Sequence, residues 1–474
     1  MIPFVTSAAP AGSDLSILAG GADRPAYLIH PADSRHELDA YRRLRQAEFV
    51  AEQGLFASSD ADSVDDDPRT IVLVASASDG QVLGGVRLAP ATDIDIGWWT
   101  GSRLVTEPAA RSLGVGPALI NAACAYAESA GVLRFEATVQ CRYERLFVRL
   151  GWERLDDRTV GGTPHVGMRW PMEALARLAS TTKGFLGTAL TPLRNVPGGL
   201  GAAGFVGDDG APVPGSDIIA ACDAIVPSMV ERDPEWAGWC SVLVNVNDLT
   251  AMGAVPTGLL DAIGAPNRAL LDRIIDGLAA ASAAWGVPVL GGHTQLGVPA
   301  ALAVTALGRT TTPLRGGGGK EGDRVTLTAD TNGRWRPGYR GRQWDSTSCR
   351  TRDDLVAMTR IPAAMGPVAA KDVSMAGVVG TLGMLAEACG TGAELDISAV
   401  PKPRDAAMSD WLTCFPGYGM LTVGGTAAGE QELPPGVRTA HCGTLVSEPG
   451  VWLRWPDGVT TCALLSPVTG LGQA

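Results

Sequence analysis

The sequence predicts an α/β region, a mixed sheet flanked by helices, followed by an α+β region of two subdomains. Three observations predict it. The 474 residues exceed what one hydrophobic core ordinarily fills. Helix and strand signals alternate from Ala26 to about Met172 and resume at Phe205. The stretch between them, 173–204, lacks a clear period and closes on Pro197-Gly198-Gly199, a chain-breaking cluster. The expected boundaries are 1–175 for the first domain, 176–204 for a linker, and 205–314 and 315–474 for the two subdomains of the second. With 46% hydrophobic and 19% charged residues the composition is that of a globular protein rather than a disordered one.

Several classes are excluded early. Apolar runs are broken well before a membrane-spanning length, so no membrane partner is expected. Met1 to Asp14 has no basic leader, which predicts a cytoplasmic protein. The net charge of −12 is diffuse, which disfavours a nucleic-acid partner and still admits nucleotides carried with Mg²⁺. Nine Cys without a CxxC pair read as reduced thiols, and five scattered His give no zinc motif.

In the first region, Glu37 to Gln53 is helix-prone. Thr70–Val74 and Val82–Leu88 read as a hairpin around a turn-like 75–81. Arg103–Thr106 and Leu133–Val139 read as strands, and Gly116–Ala130 as a helix stopped by Gly131. In the second region, strands are expected near Asp217–Cys222, Val255–Ile263 and Ala300–Leu307. An amphipathic helix is expected over Asn267–Trp285, where Leu270, Leu271, Ile274, Ile275 and Leu278 share one face. The run Arg315–Gly319, followed by Lys320-Glu321-Gly322-Asp323, offers few side chains to pack and reads as a hinge.

The sharpest string of the first region is Arg111-Ser112-Leu113-Gly114-Val115-Gly116-Pro117-Ala118, between a strand and a helix. Glycines there permit a tight turn with outward N–H groups, the helix start adds partial positive charge, and Pro117 fits a first turn where no N–H is needed. The string resembles the pyrophosphate loop of the GNAT acyltransferases. Leu146 to Trp152 and the hairpin Gly84-Gly85-Val86-Arg87-Leu88 resemble further segments of that family, over roughly residues 27–172. The resemblance implies acetyl-CoA or another acyl-CoA held by N–H groups of Leu113 to Ala118. It also implies an amine acceptor. Many members use a Tyr as proton donor where this chain has Phe147; Tyr143, one turn earlier, is the substitute candidate. Glu107 and Glu136 are candidate bases for the amine, with a solvated surface carboxylate as the plainer reading of each. His165 reads as a hydrogen-bonded structural histidine, with the acceptor pocket as the alternative.

In the second region four strings follow in order: Gly207-Asp208-Asp209-Gly210, Ala221-Cys222-Asp223, Asn245 to Ala254 (NVNDLTAMGA), and Gly291-Gly292-His293-Thr294. Carboxylates beside glycine suit a hard cation that also bridges phosphates. The order resembles the AIR synthase superfamily, which includes thiamine-monophosphate kinase and selenophosphate synthetase. Carried over, Asp208, Asp209, Asp223 and Asp248 become Mg²⁺–ATP ligands. Asn245, Gly291, Gly292, His293 and Thr294 line the nucleotide site, and Asp372 and Ser374 face it across the cleft. A homodimer through the sheet of the first subdomain is implied by the resemblance alone. Met375 stands where kinase-like members have a second Asp. No reactive Cys/Lys segment like that of the selenophosphate enzymes is visible before Asp208. The fused pair also resembles bacterial proteins of a nitrilase-containing nitrogen-metabolism cluster.

Two strings are set aside. Gly199 to Gly204 satisfies GxGxxG but has no strand before it or helix after it, so it is not a dinucleotide fingerprint. Arg334 to Arg342 (RWRPGYRGR) reads as an exposed basic loop. The expectation is a bifunctional enzyme that joins acyl transfer to ATP-driven activation of a small metabolite. The rival is a ligand-sensing or scaffold protein without catalysis, which Phe147 and Met375 favour.

Overall fold

The computed structural model describes residues 27–426 and 433–474, so the leader expectation for Met1 to Asp14 lies outside the described residues. The chain divides into two compact units, Met1–Ala174 and Leu175–Ala474. Among the described residues no helix is long and apolar enough to cross a membrane.

The first unit is built on seven strands: β1 (Leu28–Pro31), β2 (Ile71–Ser76), β3 (Val82–Pro90), β4 (Trp98–Thr106), β5 (Arg134–Gln140), β6 (Glu153–Val160) and β7 (Thr163–Trp170). Their order is β1-β2-β3-β4-β5-β7-β6, antiparallel except for the β4–β5 pair. Helices α1 (Arg35–Arg45), α2 (Val115–Ser129) and α3 (Glu144–Arg149) cover it. Helix α1 starts at a reciprocal capping box between Ser34 and Glu37. It runs on into a π-helical turn, Gln46–Glu52. Gly131, at φ 73°, follows the end of α2 as its sequence position predicts. Leu88, Leu119, Phe135, Val166 and Met168 are fully buried between sheet and helices.

One local departure from regularity shapes this unit. The parallel β4–β5 pairing runs only from Trp98↔Arg134 to Gly101↔Ala137. Two residues later Arg103 adopts φ 54°, a left-handed conformation uncommon outside glycine, and the β3–β4 register shifts between Gly85 and Arg87. Pairing between β4 and β5 stops there. Tyr41 Oη donates to the freed carbonyl of Arg103 at 2.8 Å.

The second unit begins with α4 (Ala174–Lys183), α5 (Leu186–Ala189) and α6 (Thr191–Arg194). The expected linker 176–204 is thus helical in part, because Leu175 and Ala179, one turn apart, bury the same face of α4. A five-stranded sheet follows in the order β11-β10-β12-β9-β8. Its strands are β8 (Ala211–Pro212), β9 (Ile218–Ala224), β10 (Val255–Ala265), β11 (Val289–Leu296) and β12 (Ala301–Arg309). Short α7 (Pro227–Arg232) leads into α8 (Pro234–Ala251), which pairs with α9 (Arg268–Trp285) over one face of the sheet. The two helices approach so closely that any side chain at Gly277 would run into the backbone of Glu235.

The last part carries a seven-stranded sheet, β16-β18-β13-β19-β17-β20-β21. In chain order its strands are β13 (Arg324–Asp330), β16 (Ala369–Asp372), β17 (Gly392–Asp396), β18 (Gly419–Val423), β19 (Val437–Val446), β20 (Val451–Arg454) and β21 (Thr460–Leu464). Helices α10 (Arg352–Met358), α11 (Ile361–Met365), α12 (Gly377–Cys389) and α13 (Met408–Thr413) complete it, with a small ribbon of β14 (Arg334–Trp335) and β15 (Trp344–Asp345).

Two sequence readings change here. The glycine run after Arg315 is a packed strap rather than a free hinge: Gly316, Gly317 and Gly319 are buried. Side chains at those positions would strike Asp208, the Ala388 carbonyl and Leu445 respectively. The RWRPGYRGR segment is not a bare exposed loop. Tyr339 is buried, Arg336 stacks over Trp236 at 4.5 Å while pairing with Asp233 at 3.0 Å, and Arg232 stacks over Tyr339 at 4.0 Å.

Candidate functional site

In the first unit, the gap where β4 and β5 part opens into a cavity of about 570 Å³, a volume suited to a small-molecule ligand. Its floor is apolar, from Ile120, Phe135, Val139, Phe147 and Trp152; Glu48, Gln53, Gln140, Tyr143, Arg158 and His165 add polar groups. At one part of the lining lie Arg111, Gly116 and Pro117. Gly114, at φ 73°, turns a 3₁₀ segment (Pro108–Leu113) into α2. The turn makes Val115 and Gly116 the first helical residues, whose N–H groups have no partner one turn back. Ala118 N–H closes the first bond, to the Gly114 carbonyl at 3.2 Å. Leu113, Gly114, Val115 and Ala118 belong to this turn and are not among the lining residues.

The expected proton-transfer residues have distinct fates. Tyr143 lines the cavity and is 43% exposed, with Arg142 over its ring at 4.9 Å. Phe147 is buried edge-on against Trp152, ring centroids 5.2 Å apart. Glu136 lines the cavity, but both its oxygens are taken. Arg134 Nε donates to Oε1 at 2.8 Å and Nη2 to Oε2 at 3.1 Å, while Arg169 Nη2 donates to Oε1 at 2.8 Å. That double guanidinium clamp makes Glu136 an anchor between β5 and β7. Glu107 sits at the start of the 3₁₀ segment and does not line the cavity. His165 is buried, lines the cavity, and has Nδ1 2.8 Å from the Thr163 carbonyl, so both of its readings are compatible with its place.

Sequence reasoning missed Glu48. It lies in the π-helical turn and lines the cavity; Gln53 Nε2 donates to it at 2.5 Å and Arg111 Nη2 at 2.7 Å. π-turns recur at functional positions, yet neither spacing nor composition of the 37–53 segment marks one.

In the second unit, Asp209, Asp248 and Asp372 each offer a carboxylate oxygen within 4.8 Å of the others. Asp209 comes from the turn at Gly207 (φ 75°), Asp248 from the last turn of α8, and Asp372 from the end of β16. Lys371 Nζ donates to Asp209 Oδ1 at 3.0 Å and to the Gly207 carbonyl at 2.8 Å; the Asp372 amide donates to Asp209 Oδ2 at 2.9 Å. Asp248 and Asp372 are only 6% and 5% exposed, and no hydrogen bond among the described residues reaches either carboxylate. Burial, reinforced by the neighbouring carboxylates, raises the pKa of both well above the usual carboxylate range, with Lys371 opposing.

Asp223, on β9, is exposed to solvent yet has many protein atoms around its carboxylate. That crowding raises its pKa, Asp209 adds to the rise, and Lys183 of α4 opposes it. Lys183 also acts on Asp372, which places a cation of the expected linker near the acidic centre.

Asp208 points away from the triad, toward the glycine strap. Neither of its oxygens has a hydrogen-bond partner, and burial pushes it up to about 6 despite Lys371 and the nearby Gly316 amide. The close acidic group among the described residues is thus Asp209, Asp248 and Asp372, with Asp208 turned to the strap and Asp223 outside the group. Asn245 Nδ2 is bonded to the Ser241 carbonyl at 2.9 Å, while its Oδ1 and the Ser374 Oγ are buried without partners. Gly291, Gly292, His293 and Thr294 are exposed on edge strand β11, with β10 and β12 between them and the strand of Asp223.

Two buried carboxylates and a half-buried third surround one buried ammonium in a poorly solvated place. A hard divalent cation fits that donor set; Asp209, Asp248 and Asp372 would hold Mg²⁺.

Residues 36–152 match the family described as Acetyltransferase (GNAT) family. Residues 207–310 match the AIR synthase related protein, N-terminal domain, and 347–429 its C-terminal domain. Uncharacterized protein sll0787 of Synechocystis sp. is 36% identical over 231 residues, covering 47% of this chain and 71% of that protein. Uncharacterized protein MJ0640 of Methanocaldococcus jannaschii is 33% identical over 196 residues, 39% of this chain and 59% of that one. A thiamine-monophosphate kinase of Synechococcus elongatus is 36% identical over 112 residues, 22% of this chain and 34% of the kinase. Among solved structures, tt0281 of Thermus thermophilus has a TM-score of 0.45 at 23% identity, over 56% of this chain and 95% of that one. Thiamine monophosphate kinase of Aquifex aeolicus gives 0.44 at 18%, over 59% and 97%.

Proposed function

Since the chain belongs to the GNAT acetyltransferase family over its first unit and to the AIR synthase related proteins over its second, we propose that it is a bifunctional enzyme. The first unit transfers an acyl group from acyl-CoA to an amine. The second uses Mg²⁺–ATP to activate an oxygen of a small metabolite, as a carbonyl, carboxylate or phosphate.

What carries the reading is the pairing, in one chain, of an opened β4–β5 cleft beside a glycine-turned helix start with a largely buried Asp209–Asp248–Asp372 triad. In the cleft, the start of α2 and Arg111 would hold the pyrophosphate of CoA, and the apolar floor its acyl end. Tyr143 stands ready to return a proton to the leaving thiolate, and Glu48, which accepts from Gln53 and Arg111, orients the Arg111 guanidinium. In the acidic centre Asp209, Asp248 and Asp372 would hold the cation, which would supply charge neutralisation to phosphate, while Lys371 fixes Asp209 and Lys183 adds positive charge. The thiamine-monophosphate kinases among the relatives support phosphoryl transfer as the class of chemistry. A homodimer through the five-stranded sheet accords with the wholly exposed β11, where Leu290 and Leu296 are 60% and 54% exposed.

Calorimetric titration with acetyl-CoA and with Mg²⁺–ATP tests both halves, followed by thiol release against an amine panel and ADP release against small metabolites. Saturable binding of both with turnover on each panel is expected. Binding without any turnover would turn the reading into one of ligand sensing, and binding of neither would sink it.

A further inference from the structure

The acidic centre rests on a support that lies far from it in sequence. Glu387, in the last turns of α12, is 8% exposed and carries its charge against the C-terminal segment. Val468 N–H donates to Oε2 at 2.8 Å and Thr469 N–H to Oε2 at 2.7 Å; Thr469 Oγ1 and Gly472 N–H donate to Oε1, both at 3.0 Å. Four donors on one buried carboxylate leave it fully satisfied, the condition under which a buried charge is tolerated.

The segment held this way reaches onward. The Thr469 carbonyl accepts from the Gly187 amide at 2.7 Å, and Arg194 donates to the Leu471 carbonyl. Ala474 N–H is bonded to the Ala388 carbonyl at 3.2 Å. Leu471 lies directly against Gly207, where an added side chain would meet its Cδ1 at 3.0 Å. Gly207 is the residue whose carbonyl takes Lys371, and Lys371 in turn holds Asp209. An unbroken line of contacts therefore runs from Glu387 through Leu471 to Gly207, Lys371 and Asp209.

We propose that Glu387 and the 468–474 segment form a clamp that sets the Gly207–Asp209 turn in its metal-binding position, with Glu387 as a positioning residue for the cation site. The charge of Glu387 matters because all its partners are donors. A neutral amide would set N–H against N–H at one oxygen and release the segment. Leu471 matters because it is the surface on which the turn rests. This inference rests on the reading of Asp209, Asp248 and Asp372 as a cation site.

Two variants separate positioning from general stability. Glu387→Gln unlatches the clamp; Leu471→Ala keeps its four hydrogen bonds and cuts back the side chain that meets Gly207. Each is compared with wild type for Mn²⁺ binding by electron paramagnetic resonance and for a non-hydrolysable ATP analogue with Mg²⁺ by calorimetry. Measurements are made well below the melting temperature, with acetyl-CoA affinity as control. Both variants are expected to lose roughly tenfold or more in Mn²⁺ affinity with acetyl-CoA affinity unchanged, the size of one charge-assisted contact. Wild-type Mn²⁺ affinity in both variants, even with a lowered melting temperature, would overturn the clamp. A wild type that binds Mn²⁺ but not the nucleotide would sink the ATP reading, while the Mn²⁺ affinities of the variants would still decide the clamp. A wild type that binds no Mn²⁺ would overturn both.

Discussion

Arg111 Nη2 donates to the Glu48 carboxylate at 2.7 Å, and both residues line the cleft of the first unit. The guanidinium that would meet a CoA pyrophosphate is thus held by an internal anion. A ligand must displace or share it. Glu48→Gln should tighten acetyl-CoA binding by about two- to fivefold, the scale of a partly exposed ion pair. Arg111→Ala should weaken it. Calorimetry at constant ionic strength checks this; equal affinity in both variants would remove Arg111 from the binding site.

Asp248 gives a prediction with two opposite signs. Its carboxylate is buried, without a hydrogen bond and among like charges. In the metal-free protein Asp248→Asn relieves that burden, so the second unit should melt at a higher temperature. The same change removes a cation ligand, so affinity for Mg²⁺–ATP should fall by roughly tenfold or more. Scanning calorimetry with and without Mg²⁺–ATP shows both effects in one experiment. A lower melting temperature in the metal-free protein would contradict this account of the site.

Tyr143→Phe tests the proton donor. The hydroxyl stands at the cavity, whereas Phe147 lines it with an apolar ring that has no proton to give. Loss of a general acid should reduce kcat for acyl transfer by about 10²-fold or more, leaving the acetyl-CoA dissociation constant unchanged. Full activity in Tyr143→Phe would assign the proton to another group.

The stability of the first unit should depend on acid pH. Burial pushes the carboxyls of Asp62 and Asp65 up, but hydrogen bonds and charge from Arg87 on Asp62, and chiefly from Arg45 on Asp65, outweigh it and hold both below the usual range. A carboxylate whose pKa is lower in the folded than in the unfolded chain stabilises the fold above the unfolded value, near ~3.9. That contribution is lost as pH falls through the folded value. Melting temperature should therefore drop steeply below about pH 4, and Asp65→Asn should flatten that slope. An unchanged slope would mean the Arg45–Asp65 pair at 2.6 Å adds nothing to folding.

Periodic elements were legible in the sequence, and those without a period were not. The hairpin of β2 and β3 and the helix from Asn267 to Trp285 announced themselves by alternation, spacing and end residues. Helix α8 did not. It is apolar and buried on nearly all sides, so no stripe distinguishes it, and only its NVNDLTAMGA string drew notice. The acidic centre was half legible for a related reason. Composition identifies carboxylates beside glycine, but direction comes from the turn, and at Gly207 the turn sends Asp209 inward and Asp208 toward the strap. Glu48 was hidden because a π-turn is a backbone event with no residue signature.

The glycine strap also bears on how the gene could be cut and rejoined. A run of four glycines invites use as a seam for split-protein reporters or inserted fluorescent domains. Here that choice would fail, since Gly316, Gly317 and Gly319 are threaded against Asp208, Ala388 and Leu445 with no room for a β-carbon. Gly215 and Gly458 are among the glycines with open space around them, where such engineering has room.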